Sequence, residues 1–103
     1  MQDMQNTRRS ERKSLRVGVE YESAGVRFKA YIKNIGTLGV YVETETPLSV
    51  GIRLRLIFTL PSGRVIETDG VVAHRQSGSG MGIAFISTGA EEVEHIRRFI
   101  EAE

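Results

Sequence analysis

The stretch Val26-Arg27-Phe28-Lys29-Ala30-Tyr31-Ile32-Lys33 decides the fold, because Val26, Phe28, Ala30 and Ile32 alternate without a break with Arg27, Lys29, Tyr31 and Lys33. A period of two places the first set on one face of a strand and the second on the other, so one face meets a core and the other meets water. The same period extends in both directions. Upstream, the pattern starts at Leu15, with Val17, Val19 and Tyr21 on one face and Gly18, Glu20 and Glu22 on the other, and Ser23-Ala24-Gly25 turns the chain into the next strand. Downstream, Asn34 to Gly39 interrupts with two glycines before Val40 and Val42 alternate with Tyr41 and Glu43 in a short third strand.

Beyond Pro47 and Ser49-Val50-Gly51, a fourth strand turns Ile52, Leu54, Leu56, Phe58 and Leu60 one way and Arg53, Arg55 and Thr59 the other. Pro61-Ser62-Gly63 makes a tight connection, since proline presets one turn dihedral and glycine tolerates positive φ. A fifth strand is expected from Arg64 to Arg75, with a bulge or sharp bend at Gly70, and a sixth from Met81 to Ile86. The period then changes. Thr88-Gly89-Ala90-Glu91 reads as a capping box, with the Thr88 hydroxyl accepting from the third amide and Glu91 reaching back. Val93, Ile96, Phe99 and Ile100 follow at helical spacing, with Glu92, Glu94, Arg97 and Arg98 on the other side.

Six short strands and one helix predict a mainly β domain: a small six-stranded antiparallel barrel whose C-terminal α-helix lies along one opening or flank. Residues 1–14 hold little to bury and are expected to form a flexible basic N-terminal arm, with the barrel and helix over 15–103.

Composition narrows the functions open to such a barrel. A chain of 103 residues without cysteine can bury one core without a staple, and it has neither disulfides, thiolate metal ligands nor a cysteine nucleophile. The two histidines, His74 and His95, are far apart, so a zinc site would need carboxylates as well. No segment approaches the roughly 18–20 apolar residues of a membrane span, and Met1 to Thr7 is polar, which predicts a cytoplasmic protein that does not contact the membrane. The net charge of +1 conceals an asymmetry, because Arg8, Arg9, Arg12, Lys13 and Arg16 crowd the first sixteen residues against only Asp3 and Glu11. A basic arm on a mildly acidic body suits a compact anion better than long nucleic acid, for which strips of basic residues interleaved with aromatics would be expected on the body. No Ser-His-Asp order, metal motif or phosphate-cradling loop opening a helix is present, so an enzyme is not expected.

Three motifs occur together on this framework. Arg12-Lys13-Ser14-Leu15-Arg16 is an RxxxR element ahead of the first strand; Asn34-Ile35-Gly36-Thr37-Leu38-Gly39 approximates [D/N]xSxxG between strands two and three; and Gly80-Met81-Gly82-Ile83-Ala84-Phe85 is a glycine-rich late strand. In order and spacing, over about residues 8 to 101, they resemble the PilZ domain. That resemblance implies a non-enzymatic receptor for cyclic di-GMP, needing no cofactor, that relays the messenger level to an unidentified effector protein in motility, exopolysaccharide or a related output. It implies that Arg12 and Arg16 grip the ligand, whose guanines each offer O6 and N7 to a planar Arg fork. Asn34 would meet a guanine edge, Gly39 would allow the backbone turn, and Arg8 and Arg9 would serve a second ligand molecule or raise the local potential. Gly36 departs from the family pattern, where Ser is usual; the lost hydroxyl is worth about 0.5–1.5 kcal/mol. The alternative is a PilZ-type adaptor that has lost the nucleotide and works through protein contacts alone. Read without the resemblance, Arg12 and Arg16 are solvated charges, Asn34 a turn former, Gly39, Gly80 and Gly82 bulge or turn residues, Tyr41 a strand aromatic with some stacking capacity, and His74 a strand-surface histidine.

Overall fold

The computed structural model describes residues 12–102. Six strands, β1 (Lys13–Ser23), β2 (Val26–Ile35), β3 (Gly39–Glu43), β4 (Arg53–Thr59), β5 (Val65–Gln76) and β6 (Gly80–Ile86), precede one helix, α1 (Ala90–Glu101). The strands close into a barrel in the order β1-β2-β3-β6-β5-β4, and every neighbouring pair is antiparallel.

Alternation builds the interior as the sequence leads one to expect. Val19, Tyr21, Ile32, Val42, Leu54, Leu56, Phe58, Ile66, Val72, Met81 and Ile83 are all buried in one cluster, joined by Ile96 and Ile100 from α1. Burying side chains of this size stabilises by about 1.5–3 kcal/mol each. Val26 and Ile52, which the periodicity places inward, are exposed because each lies at a strand end next to a turn.

Three local expectations are corrected. Thr88 does not cap α1: its Oγ1 is 2.7 Å from Oγ1 of Thr68, a buried hydroxyl that needs a partner away from water. The cap is Gly89, without a side-chain bond, and Glu91 is met by Arg64 at 3.3 Å. Gly70 is not a bulge. It pairs in register with both Leu54 and Phe85 and is glycine because a β-carbon would strike the Ile83 side chain. The irregularity of β5 falls instead between Val72 and His74, where Ala73 is the extra residue. Finally, β1 begins at Lys13, so Lys13 and Ser14 already pair with Ile35 and Asn34.

Lys13 also fastens the end of the helix. Its Nζ donates to the carbonyls of Phe99 (3.1 Å) and Ala102 (2.9 Å) and lies 4.6 Å from the Phe99 ring centroid. A cation at a helix C-terminus opposes the negative end of the macrodipole while adding a donor to terminal carbonyls, of which Phe99 O otherwise has only the long 3.4 Å bond from Ala102 N–H.

The β1–β2 hairpin is closed by Ala24 and Gly25, both at positive φ (52° and 81°), as a two-residue type I′ turn requires. Alanine carries a steric cost there that asparagine largely avoids. Ala24→Asn is expected to stabilise the fold by about 0.5–1 kcal/mol, read as a higher urea midpoint at unchanged m; a lower midpoint would count against this turn.

Candidate ligand-binding site

The β2–β3 corner is built by backbone geometry before any ligand is considered. Gly36 N–H donates to Gly39 O at 2.9 Å, and Phe85 N–H donates to Leu38 O at 2.9 Å, tying the corner to β6. A β-carbon on Gly39 would run into the Ile83 carbonyl, so Gly39 is required by the approach of β3 to β6, and its φ is not positive. Gly36 is likewise absent from the positive-φ glycines, which are Gly25, Gly51, Gly63 and Gly78.

Arg12 seats on this corner. Its Nε donates to Asn34 Oδ1 at 2.6 Å and its Nη2 to Gly39 O at 3.4 Å. Partial desolvation lowers the Arg12 pKa, yet a guanidinium stays charged throughout the neutral range. Arg12 and Asn34 border an open cavity of about 360 Å³ on the outside of the barrel, floored by Gly39, Gly82 and Ala84 and walled by Leu38, Tyr41 and His74. A volume of this order is at the lower end of small-molecule sites, about 300–1,000 Å³.

Small residues make the floor. A β-carbon on Gly82 would collide with the His74 ring, and one on Gly80 with the Val42 carbonyl and the Tyr41 ring. Without them, Tyr41 and His74 lie together against the sheet, with centroids 6.1 Å apart and planes at 29°, and Tyr41 donates its hydroxyl to Gln76 Oε1 at 2.8 Å. Three register shifts cluster here: Leu15 and Arg16 oppose Lys33 in β1–β2, Lys33 is extra against β3, and Ala73 is extra against β6. Bulges re-aim side chains and terminate pairing, and they concentrate beside functional sites.

Of the residues singled out from the sequence, Arg12, Asn34 and Gly39 are thus brought to one cavity, with Gly36 buried behind the corner. Arg16 is elsewhere: it is not among the cavity's lining residues, and its Nη1 donates to Glu43 Oε1 at 3.3 Å. Arg8 and Arg9 lie outside the described residues. His74, read from the sequence as a strand-surface histidine, and Tyr41, read as a strand aromatic with some stacking capacity, both line the cavity. Their position on the outward face of β5 and β3, opposite the glycines of β6, was the available signal.

The PilZ domain family profile matches residues 6–102. The chain belongs to the PilZ family. A search of curated proteins finds no match. Among solved structures, the inhibitor of motility MotI/DgrA of Bacillus subtilis superposes with a TM-score of 0.76 at 23% identity, covering 88% of this chain and 47% of that one. The PilZ domain of CeSA from a cellulose-synthesizing bacterium gives 0.69 at 18% identity over 88% and 95%. The PilZ domain of Escherichia coli YcgR, solved with c-di-GMP, gives 0.74 at 14% identity over 89% and 87%. This chain therefore spans about half of MotI, and at these identities the likeness is one of fold.

Two other properties bear on a PilZ domain of this kind. Among the described residues no helix is long and apolar enough to cross a membrane. Arg27 and Arg55, on the outer face of β2 and β4, are paired with Glu20, Glu22, Glu67 and Asp69.

The close approach at Gly39 has a measurable counterpart at Gly18, where a β-carbon would meet nothing within 4 Å. Gly39→Ala should cost about 1–3 kcal/mol by overpacking, whereas Gly18→Ala should be neutral or stabilising by up to about 1 kcal/mol. Equal effects in chemical denaturation would refute the proposed contact between β3 and β6.

Proposed function

We propose that this PilZ domain is a non-enzymatic receptor for cyclic di-GMP, using Arg12, Arg16, Asn34, Gly36 and Gly39 as the core of its site, with Arg8 and Arg9 as outer contacts. The observation that carries this reading is the seating of Arg12 on the Asn34–Gly39 corner at the mouth of a cavity. Asn34 holds Nε and Gly39 O takes a bond from Nη2, which fixes the plane of the guanidinium and leaves its remaining N–H groups for an incoming acceptor. A planar fork pre-oriented in this way suits the O6 and N7 edge of guanine, and its permanent charge suits phosphate. Two of the similar folds, YcgR and the Borreliella burgdorferi PlzA protein (TM-score 0.63, 19% identity), were solved with c-di-GMP.

Tyr41 and His74 extend the reading, because they give a guanine ring an aromatic wall beside the arginine. A compact ligand also fits the charge distribution better than long nucleic acid does, since Arg27 and Arg55 on the β1–β2–β4–β5 face are already paired with carboxylates. Output through an effector protein, in motility, exopolysaccharide or a related process, follows from the receptor reading and from the likeness to an inhibitor of motility. The protein is taken to act in the cytoplasm, where such a messenger is met.

Calorimetric titration of the whole chain with cyclic di-GMP, with GTP and cyclic AMP as controls, should show saturable binding in the micromolar range or tighter. Arg12→Ala should weaken it roughly ten- to hundred-fold, the equivalent of a charge-assisted contact of about 1.5–3 kcal/mol. No saturation up to millimolar ligand would replace the receptor with the adaptor that works by protein contacts alone.

The Gly36 position offers a gain-of-affinity test. Because Gly36 is not at positive φ, serine there restores a hydroxyl without left-handed strain, and Gly36→Ser is expected to tighten binding about two- to twelve-fold. A folded variant that binds more weakly would mean that the buried corner has no room for the side chain.

A further inference from the structure

Arg16 carries the second positive charge of the RxxxR element, yet the fold holds it away from the cavity. Its guanidinium carbon lies 4.1 Å from the centroid of the Tyr31 ring, and its Nη1 donates to Glu43 Oε1 at 3.3 Å. Tyr31 and Glu43 are register partners across β2 and β3, one outward-facing step along the same strands from the Asn34–Tyr41 pair that lines the cavity. Arg16 itself is in the bulge opposite Lys33, between those two pairs. Its side chain is 67% exposed, so rotation about its own torsions is unobstructed by core packing. The sheet thus seats Arg16 on Tyr31 and Glu43, outside the lining of the cavity that Arg12 borders.

We propose that Tyr31 and Glu43 form a parking seat for Arg16 that competes with the anionic ligand, so that these two residues, outside the RxxxR and [D/N]xSxxG elements, set the affinity of the site. The inference rests on the cyclic dinucleotide reading and specifies how that site is regulated. To meet a ligand between Arg12 and the Tyr41–His74 wall, Arg16 must leave the Tyr31 ring, because it does not line the cavity where it stands. Apparent affinity is the intrinsic affinity reduced by the fraction of chains in which Arg16 is free. An exposed ion pair and an exposed cation–π contact each shift that fraction by a modest factor, about two- to five-fold. The seat is therefore weak enough for a bis-phosphate to outcompete and strong enough to raise the concentration at which the domain responds. It also makes occupancy visible at a second place, since the cation leaves the face of Tyr31 when the ligand arrives.

The test is calorimetric titration of the full chain with cyclic di-GMP at one fixed ionic strength, for the wild type, Glu43→Gln, Tyr31→Leu, Arg16→Ala and the double variant Glu43→Gln/Arg16→Ala. Glu43→Gln and Tyr31→Leu should each tighten binding about two- to five-fold, and Glu43→Gln should have no effect once Arg16 is gone. In the wild type, the Tyr31 ring resonances should shift on saturation. Equal tightening by Glu43→Gln in both backgrounds would mean only that a carboxylate repels an anion, and would overturn the parking seat. Unchanged or weaker binding by Glu43→Gln, in a wild type that itself binds, would overturn it as well. A wild type that does not saturate would overturn the cyclic dinucleotide reading first and the parking seat with it, and is told apart from the other failures by appearing without any substitution.

Discussion

The structure depends on how closely β3 approaches β6. These strands are distant in sequence, and their pairing closes the barrel. The approach leaves no room for a β-carbon at Gly39 or Gly80, and the His74 ring leaves none at Gly82. Once made, it fixes the carbonyl of Gly39 at the corner, where Gly36 N–H and Arg12 both donate to it. It also leaves a smooth floor on the outer side, against which Tyr41 and His74 settle. Closure and cavity therefore share Gly39, which both lets β3 meet β6 and lies on the floor of the hollow outer surface.

How much of this was legible in the sequence follows from what each feature depends on. Strands such as Val26 to Lys33 and Ile52 to Leu60 announce themselves because burial on one side of a sheet imposes a period of two. The helix announces itself by its own period. Bulges do not, since an extra residue in one strand is defined only against its partner; the irregularity expected at Gly70 belongs at Ala73. The capping box at Thr88 failed for a related reason, because a buried threonine twenty residues earlier claims the hydroxyl that local pattern assigned to the helix. In the site, Arg12, Asn34 and Gly39 were legible through a motif resemblance, while Tyr41 and His74 became distinguishable from ordinary surface residues only when β3, β5 and β6 were set side by side. The placement of Arg16 was not legible at all, for it turns on a register that brings Tyr31 opposite Glu43.

Three cations within five residues take three directions. Arg12 faces the corner, Lys13 the helix end and Arg16 the Tyr31–Glu43 pair. A tail of solvated charges would show no such division. Each cation is matched to a different acceptor: an amide and a carbonyl, two helix-terminal carbonyls, and a carboxylate with an aromatic face. The beginning of β1 is thereby pinned to three parts of the molecule.

The clasp from Lys13 to Phe99 and Ala102 brings the start of the first strand alongside the end of the helix. Polypeptide attached before Arg12 or after Ala102 would therefore leave the domain from the same neighbourhood, a short distance from the cavity. Such geometry suits a module that can be spliced into a larger chain at a single surface point.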